Sequence, residues 1–157
     1  MGLLDDYTNE HGSPRPTWQH QEAISCALYT MGNELDEQGL NILPEATVTD
    51  DCNDLAPDLV VFDKQFNPRL VIDISIHKEV EAIMRKCAEL ITRFPKAEYF
   101  VYDYESEILH KYDALHDLWL SSTENDLYSA YLKLPVLHYF QEQTADLIAA
   151  HSDSLSR

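Results

Sequence analysis

One stretch constrains this chain more than any other: Leu70-Val71-Ile72-Asp73-Ile74-Ser75-Ile76. It is short, apolar and rich in β-branched residues, the pattern of a strand covered on both faces of a sheet. Asp73 in its middle is anomalous. A carboxylate there is costly to bury unless it is paired, hydrogen-bonded or bound to a cation. Strand alternation puts Asp73 on one face with Val71 and Ser75, and Leu70, Ile72, Ile74 and Ile76 on the other.

The surrounding pattern predicts the partners of that strand. Ile24, Ala27, Leu28, Met31 and Leu35 recur at helical spacing after Thr17, a capping residue, and this helix should end near Glu37, before Gly39. A strand within 40–48 is expected, broken or edged at Pro44, followed by an Asp/Asn-rich loop over 49–54. Pro57-Asp58 opens a short strand, Leu59-Val60-Val61-Phe62, and a turn over 63–68 leads into the Asp73 strand. The clearest helix covers 78–94, with Val80, Ile83, Met84, Cys87, Leu90, Ile91 and Phe94 in one stripe and Pro95 as its stop. Strands follow at 98–103 and 107–112. Beyond them, strands at 119–121 and 131–136 and a helix over 137–150 are expected, and 1–16 reads as an irregular arm. This order describes an α/β fold with a mixed sheet flanked by helices, in which 70–103 forms a right-handed parallel crossover.

At 157 residues the chain reads as a single domain, with a core over about 12–112 and a C-terminal extension over 113–157. No apolar run is long enough for a membrane span, and the N-terminus has neither the basic nor the apolar region of a secretory signal. A cytoplasmic location is therefore expected. Cys26 and Cys87 fall in helical patterns as buried thiols, and Cys52 falls in the acidic loop. All four glycines precede residue 41, so no phosphate-cradling loop and no nucleotide cofactor is expected.

The net charge of −17 opposes binding to nucleic acid, but its distribution matters. Seven of the eleven Lys and Arg residues lie between Lys64 and Lys96, a window that carries +3 while the remainder carries −20. Asp58 and Asp73 are a hairpin apart. Brought together, they repel each other and make a hard, oxygen-lined site suited to Mg²⁺. On spacing alone the alternative is equally good: Asp58 a turn residue after proline, Asp73 salt-bridged to a lysine of the next helix. On that helix Lys86 sits at the border of the apolar stripe, so its stem can run along apolar surface and bring the ammonium to the sheet edge. Arg93 follows seven residues on, along a similar line. An ammonium there could orient an attacking water and steady developing phosphate charge.

Pro57-Asp58, a hairpin, and Asp73 in an apolar strand together resemble the PD-(D/E)xK nuclease superfamily. Ser75 stands where that motif has lysine, a departure shared by the Uma-type endonucleases, in which the lysine has moved to the following helix, as Lys86 does here. Gly12-Ser13-Pro14-Arg15-Pro16 to His20-Gln21-Glu22-Ala23-Ile24, the segment Pro44-Glu45-Ala46-Thr47-Val48, and Ala97 to Asp103 resemble further stretches of that family. The resemblance spans about 12–112 and implies a restriction-endonuclease-like fold and Mg²⁺- or Mn²⁺-dependent cleavage of DNA. Asp58, Asp73 and Lys86 would be catalytic. Glu45, Asp58, Asp73 and the Ile74 carbonyl would hold the metal, with Ser75, His20, Glu22 and Arg93 as further candidates. Many relatives of this fold are dimers, and Trp119, Tyr131, Leu137, Tyr139 and Phe140 offer apolar surface for a homodimer. The alternative, favoured by the net charge, is a nuclease fold that binds or regulates without turnover. His20 also reads as a helix-start packing residue. Ser75 lacks the Gly-x-Ser-x-Gly setting of a nucleophile, and the tyrosines at 99, 102, 104 and 112 read as packing.

Overall fold

The computed structural model describes residues 18–48 and 56–141. The expected arm over 1–16, the Thr17 cap, the loop over 49–54 with Cys52, and the end of the last helix lie outside those residues. Six strands form one sheet in chain order: β1 (Asn41–Pro44), β2 (Leu59–Phe62), β3 (Pro68–Ser75), β4 (Glu98–Asp103), β5 (Ile108–Asp113) and β6 (Leu118–Ser122). Every neighbouring pair is antiparallel except β3 and β4, which are parallel. A single 3₁₀ turn (His77–Glu79) and helix α2 (Val80–Arg93) make the crossover between them. The α/β fold with a helix-flanked mixed sheet is therefore as expected. Among the described residues, no helix is long and apolar enough to cross a membrane.

The alternation along β3 divides the molecule into layers. Leu70, Ile72 and Ile74 join Leu59, Val61, Phe100 and Tyr102 on the face covered by α1 (Trp18–Glu37), which contributes Ile24, Ala27, Met31 and Leu35. Val71, Val60 and Tyr99 face the other way, against Leu90 and Ile91 of α2 and Phe94 just beyond its end. Gly39, at φ +75°, ends α1 and lets the Leu40 N–H donate to the Leu35 carbonyl. The β2–β3 hairpin is held by Asp63, whose carboxylate accepts the Gln65 and Asn67 N–H groups and pairs with Arg69. Those bonds, the Asn67 N–H foremost, hold its carboxyl below the usual range.

Some boundaries differ from expectation. β1 stops at Pro44, because proline gives no ladder donor and Glu45 turns into left-handed backbone at φ 49°. No strand forms over 131–136; the backbone there runs in turns and bends. The side chains of neighbouring elements hold it: Glu98 accepts the Ala130 N–H, Glu34 accepts the Lys133 N–H, and Gln38 donates to the Tyr131 carbonyl. Leu132, Val136, Leu137, Tyr139 and Phe140 then enter the α1-side core. Helix α3 begins at His138 and is described to Gln141. The apolar residues 137, 139 and 140, expected to cover a partner, are consumed inside the chain itself, and Trp119 packs on Tyr112. Residues 132–140 thus contribute to the same core as α1.

The end of α2 is tied to the sheet through Tyr99, whose hydroxyl lies 2.9 Å from the Leu90 carbonyl and 2.8 Å from that of Phe94. Tyr99→Phe leaves these carbonyls without that partner and should cost about 1–3 kcal/mol. Urea unfolding followed by circular dichroism checks this; an unchanged midpoint would show that the tie contributes nothing.

Candidate functional site

The site begins with strand register. Leu59 of β2 faces Ile72 of β3, so Asp58, one residue before β2, meets Asp73 and Ile74, the next residues along β3. The carboxylates are then fixed by each other's backbone. Asp58 Oδ2 accepts the Ile74 N–H at 2.7 Å, and Asp73 Oδ1 accepts the Asp58 N–H at 3.3 Å. The Asp58 carbonyl accepts the Glu45 N–H at 2.9 Å, which draws the turn after β1 alongside. Glu45 itself is exposed.

Asp73 is half-buried on the α2 side, where the Cys87 thiol donates to its Oδ2 at 3.7 Å. Burial, reinforced by the negative charge of Asp58, pushes its carboxyl up to about 7; the hydrogen bonds and the charge of Lys86 oppose this. Burial, and then the neighbouring carboxylate, also push the Cys87 thiol up. His20, in the first turn of α1, places Nε2 3.2 Å from Asp58 Oδ2. That hydrogen bond raises the imidazole above its ordinary range, against the effect of burial.

The structure thus gathers Asp58, Asp73, the Ile74 backbone and His20, with Glu45 and Lys86 within electrostatic reach. Lys86 is exposed beside the apolar stripe, where its helical position places it. Ser75 is buried with its hydroxyl donating to the Ile76 carbonyl, so it faces its own backbone. Arg93 lies at the far end of α2, over the Phe94 ring. Glu22 is half-buried on α1, outside the hydrogen-bonded set. Among the described residues, no three His, Cys, Asp or Glu side chains form a ready-made metal cage. Cys87 is the contact that sequence reasoning passed over. Its place at the centre of the α2 stripe was the available signal, because that stripe covers the face that bears Asp73.

The architecture and this edge define a protein of nuclease-like fold. The fold is shared with a crystal structure from Anabaena variabilis described as a "putative nuclease belonging to DUF820": TM-score 0.61, 14% identity, over 81% of this chain and 83% of that one. At that identity the likeness is one of fold. A chain of the DrdV–DNA complex overlaps 75% of this chain and 11% of its own length, at 15% identity and TM-score 0.45, too loosely to bear on the fold. No family model matches the chain, and no curated protein matches it.

The raised Asp73 carboxyl has a consequence for stability. Below about pH 4 it is protonated in the folded and unfolded chain alike. Between about 4 and 7 the unfolded chain ionises first, so stability falls as pH rises, and above about 7 the loss is complete. Asp73→Asn removes this penalty. In metal-free buffer the variant should gain up to about 4 kcal/mol over wild type at pH 8 and little at pH 4. Thermal unfolding at the two pH values tests it; a gain independent of pH would assign the effect to packing.

Proposed function

We propose that the chain is a metal-dependent phosphodiesterase acting on DNA, a member of the PD-(D/E)xK superfamily with the pattern of its Uma-type branch. The observation that carries this reading is the mutual backbone clasp of Asp58 and Asp73 at one end of the β2–β3 pair. A chain gains nothing in stability by holding two carboxylates together in a poorly solvated edge, unless a cation joins them. The donors are hard oxygens, and the excess negative charge expressed in the raised Asp73 carboxyl suits a divalent ion. Asp58, Asp73 and the Ile74 carbonyl would hold Mg²⁺ or Mn²⁺, with Glu45 beside them and water completing the set. Bound there, the ion would supply Lewis acidity toward a phosphoryl oxygen.

The chain's own groups do the rest. The Lys86 ammonium, exposed at the rim, orients the attacking water and steadies the charge that builds on the phosphate. Cys87 and the apolar stripe of α2 keep bulk water from the inner side of Asp73. The description of the Anabaena protein as a nuclease agrees with this reading. The net charge of −17 remains the feature that favours a non-cleaving module.

Asp73→Ala and Lys86→Ala should each lower cleavage of a DNA oligonucleotide at least about 100-fold, and EDTA should abolish it. Undiminished cleavage in both variants ends the assignment. Mg²⁺ or Mn²⁺ should raise the melting temperature of wild type and leave an Asp58→Asn, Asp73→Asn double variant unchanged. That shift without cleavage by the wild type would identify the non-cleaving module instead.

A further inference from the structure

The carboxylate pair lies at the end of the sheet where β3 and β4 finish, and a carboxylate–histidine pair stands at the same end. Ser75, the last residue of β3, faces Asp103, the last of β4, and His77 comes two residues after β3. Asp103 is fully buried. Its Oδ1 accepts the Glu105 and Ser106 N–H groups at 3.1 and 3.0 Å, and its Oδ2 lies 2.6 Å from His77 Nδ1. The Ser106 hydroxyl reaches the same nitrogen at 3.2 Å. The β4–β5 turn that carries these groups also borders the first site: Tyr104 lies edge-on to His20, with ring centroids 6.4 Å apart, and His20 bonds to Asp58.

The His77 ring is anchored at one nitrogen only. Among the described residues Nε2 has no hydrogen-bond partner, and the side chain is 68% exposed. A ring needed only to satisfy a buried carboxylate could lie flat against the turn and be covered. This one holds Nδ1 toward Asp103 and leaves its far nitrogen to the solvent.

We infer that His77 is a phosphate-binding residue for a DNA strand held at the carboxylate pair, its imidazolium donating Nε2–H to a non-bridging phosphate oxygen. The inference rests on the reading of that pair as a nuclease centre. Asp73 and His77 are four residues apart, about 13 Å of extended chain at most. Each nucleotide of a duplex rises about 3.4 Å, so the contact falls on a phosphate within about four nucleotides of the cleaved one. With Asp103 at one nitrogen and a phosphate at the other, the ring is held between two anions, which favours its cationic form. A chain of net charge −17 needs such placed cations, because its overall field repels the substrate. The groups around the ring are of mixed sign. Glu105 accepts the His77 N–H at 2.7 Å, Lys78 is exposed next in the chain, Glu79 is half-buried, and the His110 imidazole of β5 feels the charge of His77. The competing account is a ring that only completes the hydrogen bonding of the β4–β5 turn.

Fluorescence anisotropy of a labelled DNA duplex separates the two, measured on the full-length protein over a series of NaCl concentrations. Ca²⁺, which the same oxygens can hold, is kept constant throughout. One phosphate contact contributes about 0.9 to the slope of log affinity against log salt, so His77→Gln should lower the slope by about that amount. The same variant should bind about fivefold more weakly at low salt. His77→Arg, which keeps a cation at the position, should keep the wild-type slope. An unchanged slope in His77→Gln overturns the inference, and a lowered melting temperature beside it assigns the ring to the turn. Absence of DNA binding by the wild type overturns it together with the proposed function. DNA cleavage with an unchanged slope sinks this inference alone, and a lowered slope without cleavage sinks the phosphodiesterase reading alone.

Discussion

Two carboxylates that each accept a backbone N–H from the other's neighbourhood form the constraint around which this structure is arranged. Asp58 is held by the amide of Ile74 and Asp73 by the amide of Asp58, so neither side chain can leave without exposing a backbone donor. The clasp exists in one register of β2 against β3. A slip by one residue would turn Asp73 toward α1 and carry Ile72 and Ile74 out of the core. The one irregularity of the hairpin, between Val61 and Phe62, lies at the far end, and the ladder beside the pair is regular. The parallel pairing of β3 with β4 fills the other side of the strand.

Charge around the clasp is left unbalanced on its inner side. A thiol, not an ammonium, touches Asp73, and Lys86 stays at the solvent edge. Repulsion is therefore stored in the folded state, and an incoming cation would release it. Backbone strain sits nearby as well: Glu45 adopts left-handed backbone while its N–H is bound to the Asp58 carbonyl. The site and the stability of the fold pull in opposite directions at the same few residues.

Elements with strong periodicity were legible in the sequence: β3 from its apolar run, α2 from its stripe, and the approach of Asp58 to Asp73 from the short hairpin between them. The contacts of Cys87 and His20 were not. Each depends on how a helix sits over a sheet, and periodicity gives the face of a helix but not its offset along a strand. The segment 131–136 misled for a different reason. Its apolar residues suggest a strand, but Pro135 withholds a donor, the Lys133 N–H and the Tyr131 carbonyl are taken by Glu34 and Gln38, far away in the chain, and the Leu132 and Val136 N–H groups turn back to the Ser129 and Leu127 carbonyls. Side chains at that sequence distance leave no local signature.

Those same long-range ties link the packing of residues 131–139 to the carboxylate pair. Glu34 and Gln38 fasten α1 to Lys133, Tyr139 and Tyr131, and α1 carries His20 to Asp58. The clamp that seats α1 closes only when residues 131–139 fold back onto it across 93 to 105 residues of chain. Loosening of residues 131–139 would therefore loosen the seat of His20 beside Asp58 as well.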